Sequence, residues 1–132
     1  MKYFILATAI SFLACSCLTN KNINTSLDGV WDRGDIVISI TGSNGVFTRI
    51  NPDTNWDRVL KNDSIKIGDI NIRNITQTDN MKWTAQALKY NERSFVVNGW
   101  TDVSITMTED GQTLIVTADD VANPKNTFTR IE

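Results

Sequence analysis

Apolar and polar residues alternate along most of the chain beyond residue 27. Ile36, Ile38 and Ile40 alternate with Val37 and Ser39, as the two faces of a half-buried β-strand do. Alternation or a short apolar run predicts the other strands as well. They fall at residues 27–31, 46–50, 65–73 with a bend or bulge at Gly68-Asp69, 82–88, 94–97, 103–108, 113–118 and 127–131.

Turn-forming residues separate these segments, for example Gly42-Ser43-Asn44-Gly45, Asn98-Gly99 and Asn123-Pro124. Eight or nine short strands with almost no helical periodicity predict an all-β fold. We expect a small antiparallel up-and-down barrel of about eight strands, or alternatively a two-sheet β-sandwich. A closed barrel would leave none of these strands with an exposed edge.

One short helix is expected at residues 53–60, between two strands. Asp53 is the predicted N-cap, and Trp56, Val59 and Leu60 would then face the core.

The amino terminus carries a different signal. Lys2 is followed by an uncharged, mostly apolar run over residues 3–14, which is too short to span a bilayer but suits the core of a signal peptide. This run ends in Leu13-Ala14-Cys15, which resembles the lipobox of bacterial lipoproteins. The resemblance implies that Cys15 is lipidated, with Cys17 as the alternative.

The same resemblance implies a domain organisation and a location. Residues 1–14 would be a signal peptide, residues 15–26 a lipidated amino terminus with a flexible spacer, and residues 27–132 one β domain. In Gram-negative lipoproteins an aspartate directly after the lipidated cysteine implies retention in the inner membrane. Ser16 occupies this position after Cys15, which implies a lipid-anchored protein of the outer membrane that faces the periplasm. A plain secretory signal remains the alternative. No cysteine follows Cys17, so the domain has no internal disulfide.

The start of the predicted domain, Gly29-Val30-Trp31, resembles the Gly-x-Trp of the first strand in lipocalins and avidins. In lipocalins an arginine near the end of the chain packs on this tryptophan, and Arg130 stands where such a residue could lie. The resemblance implies a lipocalin-like barrel with a cavity for a small ligand, and it names no ligand.

Composition narrows the function classes. The chain has 13 basic and 15 acidic residues, a net charge of −2 and no histidine. The charges are scattered, so no basic face for nucleic acid is expected. Without histidine or a cysteine in the domain, histidine-based catalysis and most transition-metal sites are excluded. We expect no cofactor and no enzyme activity.

Two acidic groupings are candidates for other chemistry. Oxygen donors at Asn51, Asp53, Asn55 and Asp57 resemble the first half of a calcium loop, although Trp56 stands where glycine is expected. The alternative is a polar loop whose side chains cap turns. Aspartates 28, 32, 35, 119 and 120 could pair for hydrolysis, but they flank turns, where solvated aspartates are common.

Four tryptophans provide the most specific binding signal. Trp31 and Trp83 lie in strand phase and are expected to fill the core. Trp56 and Trp100 lie in or after polar loops, so we expect them at the surface as a ligand site. The favoured function is a membrane-anchored binding module for a small ligand, a glycan or an envelope protein. A structural accessory subunit of an envelope complex is the alternative, and a carboxylate-based hydrolase is a further one.

Overall fold

The computed structural model describes residues 23–119 and 125–132. Within them, eight antiparallel strands follow one another around a closed barrel, and the last strand pairs with the first. This confirms the up-and-down barrel and excludes the sandwich. In chain order the elements are β1 (Gly29–Asp32), β2 (Ile36–Thr41), β3 (Asn44–Ile50), α1 (Asn55–Lys61), β4 (Ile70–Asp79), β5 (Lys82–Tyr90), β6 (Val97–Met107), β7 (Thr113–Ala118) and β8 (Lys125–Arg130).

Some predicted features lie outside the described residues. They are the signal peptide, Cys15 and Cys17, as well as Asp120 and the turn at Asn123-Pro124. Among the residues that are described, no helix is long and apolar enough to cross a membrane.

Strand direction gives the barrel two distinct ends. The N-terminal end carries residues 23–28, the turns at 42–43, 80–81 and 108–112, and residues 131–132. The helix end carries the connections at 33–35, 51–69 and 91–96, of which the second contains α1. Because successive strands are antiparallel, the chain alternates between these two ends.

The N-terminal end is plugged by Trp31, which is completely buried. Its indole Nε1 donates a hydrogen bond of 2.9 Å to the carbonyl of Leu27. The guanidinium carbon of Arg130 lies 4.2 Å from the centre of the Trp31 ring. Arg130 therefore covers one face of the Trp31 ring.

Arg130 also ties three chain segments together. Its Nε donates to the carbonyl of Gly111 at 2.9 Å, Nη1 to Asp28 at 3.0 Å and Nη2 to Ser26 at 2.7 Å. Ser26, the last residue of the expected spacer, is therefore held against the barrel.

Gly29 is required for this arrangement. It has a φ of +149°, and a Cβ at this position would lie 2.6 Å from the Glu132 carbonyl oxygen and 2.7 Å from Nη1 of Arg130. Any larger residue would push the carboxyl terminus and Arg130 away from the first strand. The Gly-x-Trp pattern thus has a steric basis in this chain.

The helix forms close to the predicted place, but its N-cap is Thr54 and not Asp53. The Thr54 hydroxyl accepts a hydrogen bond from the backbone N–H of Asp57 and donates one to the carbonyl of Asn51. Asp53 takes a left-handed φ of 63° in the turn just before. Trp56 and Val59 face the core as expected.

The first part of the strand predicted over residues 65–73 is wrong, because β4 begins only at Ile70. Asp63 and Gly68 both adopt positive φ, and the backbone N–H of Lys66 donates to the Asp69 carboxylate, so the segment folds into turns. Ile65 is still buried, whereas Ile67 is 52 % exposed. The alternation of apolar and polar residues at 65–67 therefore marks a loop in which only Ile65 points into the core.

The break predicted at Asn98-Gly99 is also wrong, because β6 runs unbroken from Val97 to Met107. Gly99 has a φ of 122° and pairs with Lys89 beside a register shift in β5. The glycine therefore accommodates an irregularity in the strand pairing and does not form a turn.

Replacing Arg130 with methionine should weaken the closure of the barrel. We expect the free energy of unfolding, measured by urea denaturation, to fall by about 2 kcal/mol, because three charge-assisted hydrogen bonds and one cation–π contact are lost. Arg49→Met is the matched control: the Arg49 side chain is 58 % exposed and its ion pair with Asp32 spans 3.7 Å. This control should change stability by less than about 0.5 kcal/mol. Equal effects of the two substitutions would contradict the proposed role of Arg130.

Candidate functional site

The interior of the barrel is only partly filled. A cavity of about 120 Å³ lies inside the barrel and extends to its helix end. Its walls come mainly from aliphatic residues of five strands, together with Phe128 and Trp56. The apolar lining residues are Ile38, Ile40, Trp56, Ile72, Ala87, Leu88, Val103, Ile105, Leu114, Val116, Ala118 and Phe128.

Small side chains create this space. Ala87 of β5 pairs with Ile72 of β4 and with Thr101 of β6, and Ala118 of β7 pairs with Val103 of β6. All five of these residues border the cavity. At the opposite end of the barrel the corresponding space is taken by large residues, including Trp31 and Trp83.

The cavity leads to an open mouth at the helix end. The mouth is polar and is bordered by side chains from the 33–35 connection, from α1, from the end of β5 and from the start of β8. Four residues border both the cavity and the mouth, namely Arg33, Trp56, Leu88 and Asn126.

Arg33 and Asp35 form a two-point ion pair at this mouth. Nε and Nη2 of Arg33 donate to the two carboxylate oxygens of Asp35, each at 2.7 Å. Burial raises the pKa of Asp35, but the hydrogen bond and charge of Arg33 outweigh it, and the pKa lies below the ordinary 3.8. The pair therefore carries no net charge at neutral pH. The guanidinium also lies 5.5 Å from the centre of the Phe128 ring.

Trp56 is not at the surface, as the sequence suggested, but is only 4 % exposed. Its ring centre lies 5.1 Å from that of Phe47 and 4.6 Å from that of Tyr90, so it belongs to an aromatic cluster under the helix. The expectation failed because α1 turns Trp56 inward. It nevertheless borders both the cavity and its mouth.

Trp100 lies elsewhere, on the outer wall of the barrel. It stands three residues before Val103, the first buried residue of β6, so alternation turns it to the outer face. It borders a shallow groove with Ile65, Ile70 and Val97. The guanidinium carbon of Arg73 stands 4.0 Å from the centre of its ring. The two tryptophans therefore line different depressions and do not form one site.

The four oxygen donors considered for calcium serve the loop and the helix. The Asn51 amide donates to the carbonyl of Gly34, and Asp57 pairs with Lys61 at 2.9 Å. The hydrogen bond from Lys61 lowers the pKa of Asp57 below its ordinary 3.8. Asp53 and Asn55 are exposed. Within residues 23–119 and 125–132, no group of three or more acidic side chains could hold a metal ion.

Of the aspartates considered for hydrolysis, Asp28, Asp32 and Asp35 each have a hydrogen-bond partner of their own in the described part of the chain. Asp28 accepts a hydrogen bond from the backbone of Gly42 at the N-terminal end. Asp32 caps the turn at Gly34 near the helix end, where Asp35 is paired with Arg33. These carboxylates therefore each satisfy a local turn or an ion pair.

Asn71, which sequence reasoning missed, is the polar residue most deeply placed beside the cavity. It is 6 % exposed and borders the cavity, yet the alternation of Ile70 and Ile72 assigned it to the solvent face. No signal in the sequence distinguishes it from an ordinary outward-facing asparagine.

Comparison of the chain with protein-family models, with curated proteins and with solved structures gave no match. The chemistry of the cavity and its mouth is therefore the basis for assigning a function.

Proposed function

We propose that this protein is a lipid-anchored envelope lipoprotein whose barrel binds a small, largely apolar ligand. The observation that carries the binding function is the cavity of about 120 Å³, walled by aliphatic side chains and open at one end. The lipobox resemblance at Leu13-Ala14-Cys15 supports the anchor, with Cys15 as the lipidated residue and Cys17 as the alternative.

The size and the walls of the cavity define the ligand. An apolar cavity of about 150 Å³ accepts benzene, so this one suits a single ring or a short aliphatic chain. Saturated walls offer few partners for the many hydroxyl groups of a glycan, which favours an apolar ligand over a sugar.

The position of the cavity mouth agrees with a tethered binding domain. Residue 23 lies at the N-terminal end of the barrel, whereas the mouth lies at the helix end. A chain anchored through Cys15 would therefore present the mouth away from the membrane. Lipid acylation at about 0.8 kcal/mol per buried methylene would hold such an anchor firmly. The outer membrane, facing the periplasm, is the proposed location.

One observation favours the accessory-subunit alternative. Ile70 is 40 % exposed and borders the same groove as Trp100, and Ile67 in the preceding loop is 52 % exposed. With Val97 and Trp100 at the groove, Ile70 forms an apolar surface of the kind that contacts partner proteins. This alternative requires no ligand in the barrel.

Filling the cavity should abolish ligand binding. Ala118→Leu adds three carbons at a position that borders the cavity, and we expect it to weaken binding of toluene by about tenfold or more, because ligand and side chain would overlap. Binding is measured as saturable shifts of backbone amide resonances in nuclear magnetic resonance spectra.

The matched control is Thr84→Leu, which adds apolar volume at an exposed position of β5. It should leave toluene binding unchanged. If toluene produces no saturable shift in the unaltered domain, the binding function is wrong and the accessory-subunit alternative is favoured.

Replacing Cys15 with serine should abolish lipid attachment, whereas Cys17→Ser should not. The test is metabolic labelling with a palmitate analogue, in which we expect at least about 90 % of the label to disappear from the Cys15 variant, because lipid is attached through that thiol. Undiminished labelling of that variant, with loss in the Cys17 variant, would move the site to Cys17. Labelling of neither wild type nor variants would contradict the anchor.

A further inference from the structure

Asn71 brings a hydrogen-bonding amide to the wall of an otherwise apolar cavity. The residue is 6 % exposed and lies in β4 beside Ile72, which also borders the cavity. In the described part of the chain, no hydrogen bond engages its side-chain amide, and Asn71 is not among the residues with further interactions.

This amide must border open space. Among the described residues, no side-chain nitrogen or oxygen is both fully enclosed and without a hydrogen-bond partner. Among the described depressions of the barrel, Asn71 borders the cavity. Holding a nearly buried amide without a protein partner lowers stability, whereas leucine of similar size would not. A polar group kept at such a position is suited to pair with a group on a ligand.

The charges around the mouth indicate whether that ligand is charged. Arg33 is neutralised by the two-point ion pair with Asp35. The other charged side chains that border the mouth are Lys89 and Glu92, which carry opposite signs. The described mouth therefore has no excess charge to offset the desolvation of an ionic ligand.

We propose that the ligand is a neutral molecule with one ring or a short chain and one hydroxyl or carbonyl group, which hydrogen-bonds to the Asn71 side chain. Asn71 is then a specificity-determining residue, and the aliphatic walls hold the remainder of the ligand. This inference rests on the proposed binding function.

The test compares three probes of similar shape. Toluene and phenol share a ring and differ by a methyl or a hydroxyl group, and benzoate adds a negative charge. Each is titrated into the full chain carrying Cys15→Ser and Cys17→Ser, so that no attached acyl chain competes for the cavity. Dissociation constants come from resonance shifts in isotope-labelled protein, including those of the Asn71 side-chain amide.

We expect Asn71→Leu and Asn71→Ala each to lower the affinity for phenol relative to toluene by about fivefold, the effect of one hydrogen bond. Asn98→Ala, at an exposed position of β6, is the matched control and should leave this ratio unchanged. Phenol should bind more tightly than benzoate. The melting temperature should not fall in Asn71→Leu, because no protein hydrogen bond is lost.

Three results would overturn the inference while leaving the binding function intact. In the first, the Asn71 variants change the affinities for phenol and for toluene by the same factor, or they change neither affinity. Another is tighter binding of benzoate than of phenol. The third is a fall in melting temperature in both Asn71 variants with an unchanged affinity ratio, which would show a structural role. If none of the probes binds, the proposed function itself is wrong, and the inference with it.

Discussion

Closure of the barrel depends on a short pairing between its first and last strands. In β1 and β8 only Trp31 and Arg130, and Asp32 and Thr129, face each other as paired residues. Backbone hydrogen bonds between Val30 and residues 131–132 extend the closure. Arg130 adds hydrogen bonds to three carbonyl groups and covers the Trp31 ring. Without this closure, two strand edges would be exposed in a domain that has no disulfide to hold it together.

The width of the closed barrel decides where its interior can be hollow. An eight-stranded barrel is just wide enough for its inward side chains to fill it, so free space appears only where those side chains are small. Trp31 and its neighbours close the N-terminal end, whereas Ala87 and Ala118 leave space at the other. The cavity therefore opens at the helix end, where Arg33 and Asp35 border it.

The period-two pattern predicted most of the fold, because a barrel strand has one buried face and alternation records that face directly. It failed where the backbone departs from regular pairing. Ile65 alternates like a strand residue but lies in turns, and Gly99 marks a pairing irregularity inside a strand. Neither departure changes the alternation of apolar and polar residues, so the pattern alone does not distinguish the loop from a strand or the irregular strand from a turn.

The candidate site was harder to predict from the sequence than the fold. Trp56 was identified as a ligand-site residue, but the helix places it inside the barrel. Asn71 was missed, because the register shift between β3 and β4 buries a residue that alternation assigns to solvent. Cavities depend on differences in side-chain volume across several strands, and no single segment contains that information.

The central claim is that the barrel encloses an accessible apolar cavity, and xenon tests it most directly. Xenon binds to apolar cavities of this kind with little dependence on ligand chemistry. Diffraction from crystals under xenon pressure should show an atom inside the barrel, in contact with Ile38, Ile72 and Phe128, which border the cavity. A barrel interior without xenon, filled by side chains at that position, would contradict the account.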